Sequence, residues 1–369
     1  MSYPSIDNMQ NLLSASIFAH TDSPKKAAGR ALGTIVEIIG FHLIKAWGHE
    51  YEVAIERPLP EYANKEIVHN VEFTFHRNKH IATIPTPPAT SITSTWIYNN
   101  SKVHLPDGFK KSATSRNLIK DGIAKNACTF AYSDYSFANA YFSDDRNSIF
   151  LFELSNAPFA MFECKRVGVE EGNKKGPQTI EKAKQGSYVA RSVSSIQRIR
   201  NSDGRIGGAI ERNGEFAFYD DYYALIENAI SGQDADILSN FILTVGIVSN
   251  HGNWFTSGNQ NKEMKVLAQS YDWLLFLTDE GLATFIQDIM NSDTTFKAVK
   301  TAFERSYEKG RKANRFTKTN MDIEANIALT KYFNNNLDNI ESWFNVITPN
   351  ERSIRTLNSM LADLLKLEV

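Results

Sequence analysis

Two strand-sized apolar runs, Phe241–Ser249 and Trp273–Thr278, constrain this chain more than any other feature. Neither alternates with polar residues, so each must be covered on both faces. That is the habit of central strands in a sheet with helices on either side. The order of the other elements agrees. A helix comes first, then antiparallel strands, a helix, a strand, a helix and a strand, which describes an α/β core with a mixed central sheet and flanking helices. After Glu280 the periodicity is helical. We therefore expect a core over residues 1–290, with an inserted β-rich segment at about 50–115, and a mainly helical C-terminal region over 291–369.

The first strong helix opens at Ser23-Pro24, a capping residue followed by one suited to the first helical position. It runs to about Trp47, with Leu32, Ile35, Val36, Ile39 and Leu43 on its apolar face. Val71-Glu-Phe-Thr-Phe75 alternates as a strand does, and Pro85, Pro87 and Pro88 break the chain after it. Further strands are expected at Tyr135–Phe142, Ser148–Leu154 and Phe159–Lys165, with turns at Ser143–Asn147 and Ser155–Pro158. A loop rich in Gly and Lys ends at Gly176-Pro177 and leads into a helix from Gln178 to about Arg200.

With 369 residues and a 42% apolar share, the chain can bury a sizeable core. No segment reads as a membrane span or as a secretory signal. Two cysteines, Cys128 and Cys164, are too few for a disulfide framework or a cysteine-based zinc site, and they suit a reducing cytoplasm. The eight histidines form no ligand spacing, and no P-loop, dinucleotide glycine motif or nucleophile elbow occurs. The net charge of −2 hides two basic stretches. Cys164–Arg200 holds nine Lys/Arg against three Glu, and Lys297–Lys318 holds eight against two. Such stretches suit a face that grips phosphates, although solvated helix faces have the same composition.

The most informative segment is Phe159-Ala-Met-Phe-Glu-Cys-Lys165. Side chains alternate along a strand, so Glu163 and Lys165 share one face while Ala160, Phe162 and Cys164 share the other. Two charges at the end of an apolar strand are costly unless paired or bound to a metal. Phosphodiester hydrolysis needs a metal to polarise the phosphate, and Mg²⁺ takes hard oxygen ligands while keeping several waters. Glu163 can supply one such oxygen. Lys165 can orient or deprotonate the attacking water and neutralise the phosphate. The second carboxylate is expected upstream. Asp134 heads a strand and is preferred; Asp145 lies in a turn; Asp144 is weaker; and Glu37 on the first helix could complete the shell. A second Glu-x-Lys, Glu263-Met-Lys265, sits in a polar, helical stretch and lacks this setting.

An upstream Asp, a Glu-x-Lys strand on a hairpin and a following helix resemble the PD-(D/E)xK nuclease superfamily. The continuation from Lys165 through Arg191 is similar to type II restriction endonucleases in particular. The clear similarity covers about residues 128–200. The resemblance implies a restriction-endonuclease-like core, with Glu163 and Lys165 as the motif's acid and lysine and Mg²⁺ as cofactor. It further implies sequence-specific cleavage of double-stranded DNA by a homodimer, within a restriction-modification system that also holds a cognate DNA methyltransferase. The family's leading Pro-Asp is missing: Asp134 follows Ser133 and Asp145 follows Asp144.

Candidate DNA contacts are Lys174 and Lys175 in the loop, Lys182 and Gln185 on the helix, Asn250 after the apolar strand, and Arg311, Lys312 and Arg315 in the C-terminal basic stretch. Three other functions compete with restriction: a repair or structure-selective nuclease of the same fold, a non-catalytic DNA-binding protein, and a helical interaction protein. The last leaves the charged strand unexplained.

Overall fold

A computed structural model describes residues 6–60, 66, 68–143, 145–166, 177–192, 194–212, 214–249, 262–291, 296–306 and 314–367. The chain opens with helices α1 (Ile6–Ala15) and α2 (Pro24–Ala46), then strands β1 (Val53–Pro60) and β2 (Val68–Pro85). A run of short elements follows: β3 (Ser91–Thr93), α3 (Ser94–Ser101), β4 (Lys110–Lys111), β5 (Asn117–Lys120) and β6 (Ile123–Lys125). Next come β7 (Cys128–Tyr132), β8 (Ser136–Phe142) and the long β9 (Ser148–Arg166). Helix α4 (Pro177–Ser192) precedes β10 (Ile196–Arg200), β11 (Ile206–Arg212), β12 (Glu215–Tyr219), α5 (Tyr222–Ser231) and α6 (Ala235–Leu238). The apolar strands β13 (Leu243–Ser249) and β14 (Trp273–Leu277) enclose α7 (Lys262–Ser270). The rest is α8 (Asp279–Asn291), α9 (Lys297–Arg305), β15 (Asn320–Asp322), α10 (Ile323–Asn335), α11 (Leu337–Glu341), β16 (Phe344–Thr348) and α12 (Ile354–Leu365).

The chain is mixed α/β with a mixed central sheet. Every residue of β13 and β14 is buried, and the two strands lie parallel at the centre of a nine-stranded sheet. β13 is also parallel to β9, while β2, β8 and β16 are antiparallel to their neighbours. One layer packs α2 against the sheet through Leu32, Ile35, Ile39 and Leu43, which meet Phe73, Phe162, Cys164 and Ile247 in the main core. On the other face α4 and α7 supply Ala183, Val189, Met264 and Leu267 against Met161, Val248 and Leu274. By length and composition α2 could cross a membrane, but 67% of its apolar window is buried inside the fold, so its apolar character is that of a core helix. Pro24 occupies the first turn as expected, yet the Ser23 side chain makes no capping bond.

Several expectations change. Ser155–Pro158 is not a turn: β9 runs through it without interruption for 19 residues. The reason lies in the strand's partners. β2 lines one edge of β9 from Ser148 to Phe162, while the other edge pairs with β8 over Ile149–Ser155 and with β13 over Ala160–Arg166. Pro158, which has no amide proton to donate, falls in the gap between those two partners, where proline is tolerated. The segment at 50–115 is not wholly an insertion, because β1 and β2 belong to the central sheet. β4 also pairs with β7 in the central sheet, and of this segment's strands β3 alone joins the separate four-stranded sheet, with β5, β6 and β15. Helix α4 stops at Ser192 rather than Arg200, at a Ser-rich run that competes with helical hydrogen bonding. Within the C-terminal region β16 forms an edge of the central sheet, and α9, α10 and α12 bury Val299, Leu329 and Leu361 in the same core as α2.

Candidate active site

The charged end of β9 lies between the two helical layers. Glycines let both layers come close. A Cβ at Gly40 of α2 would lie 2.9 Å from Cys164 Sγ, and one at Gly186 of α4 would lie 3.4 Å from Glu163 Oε2. At Gly40 a side chain would force a shift, whereas at Gly186 it would only crowd Met161 Cε at 3.2 Å. Gly40 is one turn beyond Glu37, so the same contact carries that carboxylate to the site.

Glu163 and Lys165 share the α4 side of the strand, and their charges meet: Lys165 Nζ lies 2.7 Å from Glu163 Oε1. The second carboxylate is Glu72, from β2. The last ladder pair between β2 and β9 is Phe73 with Phe162. Beyond it, side chains continue the pairing. The Glu72 amide donates to Glu163 Oε2 at 3.3 Å, and Glu72 Oε2 accepts the Cys164 amide at 2.5 Å. Lys165 Nζ donates to Glu72 Oε1 at 3.1 Å. The backbone thus fixes both carboxylates, and one lysine bridges them.

Behind this trio stands a second lysine. Lys318 Nζ lies 3.1 Å from Glu37 Oε2, 3.5 Å from Glu72 Oε1 and 3.6 Å from Glu56 Oε1. Lys318 is buried, as are Glu72 and Glu163, whereas the Lys165 side chain keeps 35% of its exposure and marks the mouth. Three close carboxylates, Glu37, Glu72 and Glu163, thus share two ammonium groups. Burial, then the charge of Glu72, raises the Glu163 carboxyl above its ordinary range. The same two causes bring Glu37 to about 7, against the lowering pull of Lys318. Burial alone would lower both lysines, but Glu72 and Glu163 hold Lys165 high, and Glu72 and Glu37 do the same for Lys318.

Among the described residues no three His, Cys, Asp or Glu side chains form a ready-made metal-binding group. The donor chemistry nevertheless fits a hard divalent ion. Glu72 and Glu163 present carboxylate oxygens to one point, now bridged by a half-exposed lysine.

The upstream aspartates are elsewhere. Asp134 lies in the turn between β7 and β8, where its carbonyl accepts from Asn156, seven residues along β9 from Glu163. Asp145 lies beyond the opposite end of β9, in a turn closed by Ser143 and Asn147, whose hydrogen bonds hold its carboxyl below the usual range. Neither is brought to Glu163, because the strand they were expected to flank is continuous. Asp144 lies outside the described residues, as do Lys174, Lys175, Asn250, Arg311 and Lys312. Lys182 falls on α4, but its side chain is outside the description. Gln185 is exposed on α4, next to Gly186, and Arg315 is paired with Asp322 at 2.9 Å.

Sequence reasoning missed Glu72 and Lys318. A signal existed for the first: Glu72 is the lone carboxylate in the alternating strand Val71–Phe75. The chain matches no protein-family model, no curated protein and no solved structure.

Proposed function

We propose that this chain is a Mg²⁺-dependent endonuclease that hydrolyses phosphodiester bonds in double-stranded DNA. In this reading it is a type II restriction enzyme with a restriction-endonuclease-like core of the PD-(D/E)xK kind. The observation that carries the reading is the convergence of Glu72, Glu163 and Lys165 at the carboxyl end of a central strand. Glu72 takes the place sought for an aspartate, and Val71 stands where the family pattern has proline. Glu72 and Glu163 would hold the ion, with Glu37 beside them. When bound, Mg²⁺ supplies charge to polarise the phosphate and to offset charge developing on the leaving oxygen. Lys165, at the mouth, leaves its carboxylate partners for the phosphate and orients the attacking water. Exposed Gln185, the basic segment with Lys174 and Lys175, and the stretch with Arg311 and Lys312 supply the candidate DNA contacts.

Cutting both strands of a palindromic site would call for a homodimer with two such centres, and the restriction reading carries with it a cognate methyltransferase in the same system and a cytoplasmic location. The buried free thiols Cys128 and Cys164 suit that compartment. The test is to incubate the purified chain with phage and plasmid DNA in Mg²⁺ and to map the ends. Discrete fragments sharing one terminal sequence are expected. Cleavage without a common sequence would move the reading to a structure-selective nuclease, and intact DNA under all conditions would refute it.

A further inference from the structure

The acidic cluster holds two cations, Lys165 and Lys318, and their positions are built differently. Both touch one oxygen: Glu72 Oε1 is 3.1 Å from Lys165 Nζ and 3.5 Å from Lys318 Nζ. A carboxylate shared in this way is what a two-metal site would use as its bridge, with ions about 3.5–4 Å apart. The outer position is held by a half-exposed side chain on a free stem, which can leave. The inner one is held by a buried side chain that the fold locks in place.

The lock is specific. Lys318 lies in the tight turn Thr317–Asn320, closed by Thr317 Oγ1 donating to the Asn320 carbonyl at 2.9 Å. The Lys318 carbonyl accepts from Asn126 Nδ2 at 2.5 Å, and the Asn126 amide donates to the Thr319 carbonyl at 3.0 Å. Asn326 of α10 in turn donates to Asn126 Oδ1 at 2.6 Å. Both asparagines of this relay, Asn126 and Asn326, are buried. Glu56, which completes the carboxylate shell, has a left-handed φ of 54°, and the β1–β2 register skips it. Backbone strain of this kind persists where surrounding contacts over-determine it.

We propose that Lys318 is a resident cation standing in place of a second metal ion, so that each active site admits one divalent ion rather than two. The inference rests on the metal-dependent reading above. A lysine ammonium meets carboxylate oxygens at about 2.7–2.9 Å or beyond, whereas Mg²⁺ demands about 2.0–2.1 Å, so one position serves one or the other. Glu37, Glu72 and Glu56 stand 3.1, 3.5 and 3.6 Å from the ammonium nitrogen, within ion-pair reach of it and well outside Mg²⁺ bonding distance of that point.

The probe is Mn²⁺, which shares the preference for hard oxygen ligands. Its uptake by the full chain without DNA is counted by equilibrium dialysis. Wild type is expected to saturate at one ion per chain, Lys318→Arg at one, and Lys318→Met at two. Two ions on wild type, or one on a folded Lys318→Met, overturns the proposal. If Lys318→Met does not fold in metal-free buffer, it is refolded with Mn²⁺; recovery with two bound ions supports the proposal and failure to recover overturns it. No uptake by wild type would refute the metal-dependent reading itself, and this inference would fall with it.

Discussion

The two halves of β9 carry similar residues and do different things. Over Ile149–Ser155, where β8 is the partner, buried positions are interspersed with half-buried ones, and Glu153 simply accepts the Ser136 hydroxyl at 2.6 Å. Over Ala160–Cys164, where β13 is the partner and helices cover both faces, every position is buried. A carboxylate near the first half is an ordinary surface group: Asp145 is held low by Ser143 and Asn147. In the second half Glu163 is pushed up by burial and by Glu72, and it is tolerated only because Lys165 and two backbone amides serve the pair. The difference teaches that the strand's partners, not its residue types, decide where a carboxylate is buried and its pKa raised.

The largest expected effect tests that difference directly. Glu163→Ala and Lys165→Ala should each lower Mg²⁺-dependent cleavage by at least about a hundredfold, while DNA binding in Ca²⁺ is expected to persist through the candidate contacts outside this site. Wild-type cutting by either variant would remove the site from the second half of β9.

A buried carboxyl without a lysine provides the next comparison. Glu52 has Asn78 as its hydrogen-bond partner at 2.9 Å, and burial raises its carboxyl from 4.5 to about 7. A raised carboxyl binds its proton more tightly in the folded state. Stability is therefore lost as pH rises from 4.5 to about 7, and the full penalty is present above that. Glu52→Gln should remove a penalty of up to about 3 kcal/mol at pH 8 and flatten the pH dependence of urea unfolding between pH 5 and 8. An unchanged slope would mean that this carboxyl is already satisfied.

Packing against the second half should also be measurable. Gly40→Val pushes a side chain into Cys164, whereas a Cβ at Gly33 of the same helix meets nothing within 4 Å. Thermal melts should show Gly40→Val destabilised by about 1–3 kcal/mol and Gly33→Ala stabilised by about 0.5–1 kcal/mol. Equal effects would mean that α2 does not press on β9 at Cys164.

The smallest effect concerns the C-terminal basic stretch. Arg315 is already paired with Asp322, so Arg315→Ala should leave the slope of log affinity against log salt unchanged. A lost phosphate contact would lower that slope by about 0.9.

Much of this was legible in the chain. The unbroken apolar runs announced β13 and β14, and the period of α2 announced its buried face. Alternation alone placed Glu163 and Lys165 together, because a strand allows only two faces. What was not legible came from long-range pairing. Glu72 stands 91 residues before Glu163, and its strand was visible in Val71–Phe75, but nothing local says that this strand lines β9. Pro158 suggested a turn because a proline's effect depends on which edge of its strand is paired. Lys318 belonged to a stretch whose composition reads as a DNA-facing surface, yet its side chain turns inward to three carboxylates.

The central claim is that Glu72, and no upstream aspartate, partners Glu163 and Lys165. The direct measurement is the rate of Mg²⁺-dependent plasmid cleavage by Glu72→Gln, Asp134→Asn and Asp145→Asn, each first shown to be folded by its thermal melt. We expect Glu72→Gln to lose cleavage by at least about a hundredfold, with both aspartate variants cutting at the wild-type rate. Normal cutting by Glu72→Gln together with loss in either aspartate variant would contradict the account.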